Sequence, residues 1–87
     1  EPGGDLGLAM ALTSSANDRP LPADVMFAGE LTLAGEIRPV AQLNRRIAEG
    51  RRFGFKRFVI ASGSDIAEGQ GIIKVGTLRE AMSFIFK

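Results

Sequence analysis

The stretch spanning residues 36–61 constrains the fold of this chain more than any other. It reads as a short strand over 36–40, an amphipathic helix over 41–53 and a second strand over 55–61. In the helix, Leu43, Ile47 and Gly50 fall on one face at spacings of four and three, the period of a buried helical stripe. Arg45 and Arg52 point to the opposite side, while Arg46 and Arg51 flank the stripe. Gly54 suits the left-handed residue that ends a helix. Phe58, Val59 and Ile60 form an unbroken apolar run, as in a central strand covered on both faces. A strand–helix–strand unit of this kind is expected to be a parallel, right-handed crossover.

The flanking segments supply further layers. Asp5 can cap a first helix through its carboxylate. Leu6, Leu8, Ala9, Met10, Ala11 and Leu12 follow, so this helix is apolar nearly all round and is expected to be buried on most sides. Pro20 and Pro22 make residues 18–24 a stiff connection. Residues 25–33 read as one strand with Val25, Phe27, Leu31 and Leu33 on one face, and Gly29 inside it suggests a bulge or a close backbone approach. Ala34 and Gly35 form a turn, so the strands on either side make a hairpin. Pro39 assigns its second arm to a sheet edge or a strand end. Beyond a loop over 62–71, residues 72–75 form a strand. Thr77 and Glu80 make a capping box ahead of a helix whose buried stripe is Leu78, Ala81, Met82 and Ile85. The pattern specifies one domain over 1–87 of mixed α/β (α+β) class.

Residue types that are missing exclude several chemistries. The 87 residues contain no cysteine and no histidine. Disulfides, cysteine-based metal sites, cysteine nucleophiles and a Ser-His-Asp triad cannot be built from such a chain. No Gly-x-x-x-x-Gly-Lys-Ser/Thr loop is present to cradle a nucleotide. No apolar run reaches the roughly 18 residues that a membrane span needs. The chain opens on Glu1 with no signal-peptide pattern, which reads as the boundary of an excerpt. An absence of cysteine is compatible with the cytoplasm.

Charge is distributed unevenly. Arg45, Arg46, Arg51, Arg52, Lys56 and Arg57 face a single acid, Glu49, so this window carries +5 in a chain of net charge +1. Three readings stand side by side: a solvated helix face with Arg45 and Glu49 as an i, i+4 pair, a contact for the phosphate backbone of DNA, or a contact for an acidic protein surface. Tyrosine and tryptophan are absent, and the six phenylalanines mostly fall at core periodicity, which argues against a base-stacking platform. Glu30 and Glu36 flank the hairpin turn and read as structural charges. Arg38 reads as pairing with a carboxylate across the hairpin or across a subunit boundary.

Two segments carry a family resemblance: Asp18-Arg-Pro-Leu-Pro-Ala-Asp24 and Gly29-Glu-Leu-Thr-Leu-Ala-Gly-Glu-Ile-Arg-Pro-Val40. The second is similar to the hairpin that leads into a helix in the proteolytic domain of Lon. Together with Asp5-Leu6, Ser14-Ser15, Arg46-Ile-Ala-Glu49 and Gly54-Phe-Lys-Arg57, they resemble the C-terminal Lon-like domain of the RadA/Sms family of DNA repair ATPases. The likeness is strong over 5–60 and vague from Ser62 onward. Magnesium-chelatase-like competence proteins carry a related domain but match residues 18–22 less well.

The resemblance implies the second half of a Lon-like fold, with a sheet edge left open where preceding strands would pair. It also implies a lost dyad. Gly3 occupies the position of the Lon serine and Asn44 that of the lysine, so no catalytic residue is expected. Residues 1–13 contain no serine and no lysine precedes Lys56, so the conclusion survives a shifted alignment. What the family then implies is a non-enzymatic scaffold in a cytoplasmic repair and recombination protein. It would help assemble a homo-oligomeric, hexameric ring and contribute Arg45, Arg46, Arg51, Arg52, Lys56 and Arg57 to DNA. ATP, magnesium and zinc would belong to upstream parts of such a protein and none to this fragment. A working Lon-like peptidase with a displaced dyad and a purely oligomerising module are the alternatives.

Overall fold

The computed structural model describes residues 4–86. The core is a parallel sheet of three strands in the order β2 (Val25–Ala28), β5 (Arg57–Ala61), β6 (Ile72–Val75). Helix α2 (Leu43–Arg52) covers one face. Helices α1 (Leu6–Asn17) and α3 (Leu78–Ile85) cover the other. A small antiparallel sheet of β1 (Gly4–Asp5), β3 (Glu30–Leu31) and β4 (Ile37–Arg38) stands beside it.

The central position of β5 follows from its apolar run. Phe58, Val59, Ile60 and Ala61 are fully buried, with Val59 and Ala61 facing α1 and α3, and Phe58 and Ile60 facing α2. Burying each of the larger side chains contributes about 1.5–3 kcal/mol. Helix α2 approaches closely because Gly50 has no side chain: a Cβ there would lie 2.6 Å from Met26 Sδ and 2.8 Å from Phe58 Cε2. The helix ends in a Schellman motif. Gly54, at φ +100°, donates to the Arg51 carbonyl at 3.1 Å, and Phe55 donates to the Gly50 carbonyl at 3.0 Å. The capping box on α3 is complete, with Glu80 N–H donating to Thr77 Oγ1 and Thr77 N–H donating to Glu80 Oε1. Asp5 caps α1 by accepting from Leu8 N–H at 3.0 Å.

Three expectations need correction. The nine-residue strand over 25–33 is two strands in two sheets, broken at Gly29. The Gly29 carbonyl accepts from Leu6 N–H at 3.0 Å, and a Cβ at Gly29 would lie 2.7 Å from Ile37 Cγ2. The chain therefore leaves the parallel sheet there, and Leu33, expected on the inner face with Val25, is 83% exposed at the hairpin tip. Second, the parallel partner of β5 is β2 and not the strand at 36–40. That strand shrinks to Ile37–Arg38, pairs antiparallel with β3 and ends at Pro39, which has no N–H to donate. The crossover thus starts at β2 and includes the hairpin. Third, α1 buries only Leu6 and Met10. Leu8 and Leu12 are 60% and 63% exposed, because the parallel sheet lies on one side of this helix only. The outer edge of β1 pairs with no strand among the described residues.

Candidate functional site

The two ends of α2 carry the functional candidates, and they differ in kind. At the N-terminal end, Arg46 leans over a cleft of about 710 Å³ shared with the hairpin. Gly4, Asp5, Gly29, Glu30, Thr32, Glu36 and Arg38 line the same cleft. Glu30 and Arg38 stand opposite each other in the β3–β4 register, yet no ion pair joins them among the described residues. The expected pairing of Arg38 across the hairpin is therefore not made. The cleft holds two guanidinium groups and three carboxylates, so its field is mixed.

The resemblance gives the dyad positions to Gly3 and Asn44, and neither is among the described residues that line this cleft. Its lining contains one hydroxyl, Thr32, and no lysine. Thr32 Oγ1 accepts from Glu36 N–H at 3.1 Å as part of the turn. Asn44 is exposed on the first turn of α2 and does not line the cleft. Gly3 lies outside the described residues. Ser14 is at the far end of α1 from Asp5, where its hydroxyl donates to the Arg19 carbonyl. Ser64 is buried, with no partner for its Oγ, on the β5–β6 connection and outside the cleft.

At the C-terminal end of α2, a different set gathers. The Schellman turn ends α2 after Arg51 and Arg52 and leads within a few residues into Lys56 and Arg57. Lys56 and Arg57 both donate backbone N–H groups to the Asp24 carbonyl, at 2.9 and 3.1 Å. Gly71, at φ +87°, lies so close to this strand that a Cβ would be 2.1 Å from the Lys56 carbonyl oxygen. The corner is thus rigidly built from three segments.

Within it, the six basic candidates separate by what holds them. Arg51 donates to the Gln70 carbonyl at 3.0 Å, with its guanidinium carbon 5.0 Å from the centre of the Phe58 ring, a cation–π arrangement. Arg57 pairs with Asp24 at 2.9 Å. That bond, and the positive charge behind it, hold the Asp24 carboxyl below its ordinary range and raise Arg57, against a smaller opposing effect of desolvation. Arg45 meets Glu49 at 3.7 Å, the i, i+4 pair expected from spacing. Arg52 and Lys56 are exposed and have no side-chain partner among the described residues; Arg46, also without one, belongs to the cleft. The run of charge in the sequence is therefore two surfaces. Next to Arg52 in sequence stands Phe53, 85% exposed and outside the buried stripe of Leu43, Ile47 and Gly50. The signal for it was present: Phe53 falls on the flank of α2 away from Leu43 and Ile47.

Among the described residues no cluster of acidic side chains is arranged to hold a metal ion, and no helix is long and apolar enough to cross a membrane. Residues 3–64 match the family described as subunit ChlI of Mg-chelatase. Among curated relatives, the DNA repair protein RadA of Escherichia coli is 42% identical over 86 residues, covering 95% of this chain and 19% of that protein. RadA of Haemophilus influenzae is 40% identical over 88 residues, and RadA of Aquifex aeolicus 39% over 87 residues, covering 98% and 99% of this chain. The chain spans about a fifth of the length of these relatives. The family match stops at residue 64, close to where the likeness read from the sequence fades.

Proposed function

We propose that this chain, which belongs to the RadA family of DNA repair proteins, is a non-catalytic, Lon-like scaffold that supports ring assembly in such a protein and contributes a surface for DNA. The observation that carries the DNA contact is the α2 corner, where Arg52 and Lys56 stand exposed with no carboxylate holding them. Lysine and arginine side chains free of internal partners are the groups that neutralise phosphates and release counterions. A non-catalytic role is supported by the residues at the positions the resemblance gives to the dyad, Gly3 with no side chain and Asn44 with an amide that takes no proton. Assembly has room on the exposed leucines of α1 and the hairpin and on the mixed charges of the cleft. ATP hydrolysis and any zinc site would reside elsewhere in a RadA-type protein, which acts in the cytoplasm.

The test uses the intact protein with Arg45, Arg46, Arg52 and Lys56 changed to glutamate, sparing Arg51 and Arg57, which hold the fold. Affinity for DNA at two salt concentrations should drop at least about tenfold with a shallower salt dependence, while light scattering reports an unchanged assembly. Undiminished affinity removes the DNA role. Labelling of the unaltered protein by a serine-reactive probe, with release of peptides from an unfolded substrate, removes the non-catalytic one.

A further inference from the structure

We infer that Phe53 is a stacking residue for an unpaired nucleobase, so that the α2 corner takes single-stranded nucleic acid in preference to duplex. The inference rests on the DNA contact proposed above and adds to it a choice of strand state. It begins from a contrast within five residues. Phe58 is fully buried and Phe55 half-buried, but Phe53 presents its ring to solvent. The exposure is not that of a loose segment. The Phe53 N–H donates to the Glu49 and Gly50 carbonyls at 3.1 Å, and the Schellman bonds of Gly54 and Phe55 lock the next two residues. An aromatic ring on a backbone already fixed loses little freedom when a ligand stacks on it.

The surroundings select the ligand. Arg51 and Arg52 precede the ring, and Lys56 and Arg57 follow the turn. Asp24 and Glu49 form ion pairs with Arg57 and Arg45, while Arg52 and Lys56 form none among the described residues. The corner is therefore an apolar face framed by positive charge. A nucleic-acid strand offers the complement, phosphates for Arg52 and Lys56 and a flat base for Phe53. Duplex DNA offers the phosphates but keeps its base faces stacked inside. An acidic peptide would satisfy the charges without needing an aromatic ring.

Binding of the intact protein to an oligothymidylate of about 20 nucleotides and to a duplex of equal length tests this by fluorescence anisotropy. Phe53→Leu keeps an apolar side chain at a solvent-facing position and removes the aromatic face, and an unchanged melting curve checks that the fold stays intact. Single-strand affinity should drop about five- to fiftyfold and duplex affinity should hold within about twofold, since only phosphates are read there. A 2-aminopurine base in the bound strand should change its emission with the parent and not with the variant. Arg52→Ala with Lys56→Ala should weaken both substrates and lower the salt slope by about 1.4–1.8. If Phe53→Leu binds single strands as the parent does while the double alanine variant fails, stacking is wrong and the basic surface stands. If neither set matters, the DNA contact is wrong as well. A change of assembly mass in Phe53→Leu, with single-strand affinity intact, would make the ring a protein contact and overturn the inference.

Discussion

The cleft end of α2 and its far corner carry positive side chains from one continuous run of sequence, yet they are different surfaces. At the cleft, Arg46 and Arg38 share space with Asp5, Glu30 and Glu36. At the corner, Asp24 and Glu49 are paired with Arg57 and Arg45, and Arg52 and Lys56 are exposed with Phe53 between them in sequence. Local potential depends on which charges are left over after internal pairing, not on how many the sequence places in a window. On the proposed reading the two surfaces take different partners, the mixed-sign cleft a protein and the corner a polyanion that has bases.

The largest effect is expected at Gly71, which lets the Gln70–Gly71 segment lie against Lys56. Gly71→Ala meets a 2.1 Å approach to a backbone oxygen at a left-handed φ, so a loss of about 3 kcal/mol or more is expected in chemical denaturation. If the corner and the cleft are separate, hydrogen exchange should quicken first at residues 56–58 and 70–72 and last in the hairpin. Uniform quickening would mean that the two ends of α2 act as one unit. Gly50→Ala is the milder version, about 1–3 kcal/mol, because the atoms it meets belong to the side chains of Met26 and Phe58, which can shift.

Charge exchange probes the two surfaces without touching the core. Arg52→Glu with Lys56→Glu should cost about tenfold or more in DNA affinity at low salt. Arg38→Glu with Arg46→Glu, an equal change of net charge at the cleft, should cost less than about threefold if only long-range attraction is lost. Equal losses from both pairs would show that overall charge, and not the corner, governs binding.

The smallest expected effect is at the Arg57–Asp24 pair, which fixes the corner from beneath. The Asp24 carboxyl is held below its ordinary range in the folded chain. Its contribution is therefore complete above the unfolded carboxylate range and disappears as pH falls through the lower folded value. Asp24→Asn should lower the melting temperature by about 2 °C or less at neutral pH. The gap to the parent should close progressively in acid. A gap that widens in acid would contradict the pairing.

The elements were legible because they rest on local chemistry. The Schellman glycine, the Thr77 capping box, the buried stripe of α2 and the apolar run of β5 each follow from a few neighbouring residues, and all are found where spacing puts them. The mixed α/β class came from the order of these elements, and kinship with RadA proteins from specific runs, chiefly over 18–40. The single strand over 25–33 failed because period-two alternation continues across Gly29 while the backbone changes sheets. That change is driven by Leu6 and Ile37, which are remote in sequence. The burial expected for α1 failed because composition reports what a helix can bury, not how many sides the described residues cover.

In these 87 residues, composition and spacing account for the helices, the stripe of α2, the apolar run of β5, and the exclusion of cysteine and histidine chemistry. Those properties depend on residue identity and short-range spacing. The pairing of β5 with β2, the exit of the chain from the parallel sheet at Gly29, and the division of one basic run into a cleft and a corner come from tertiary contacts. Each of these depends on where distant backbone carbonyls and carboxylates come to lie, and hydrogen bonds and ion pairs act only at contact distance, which chain position does not reveal.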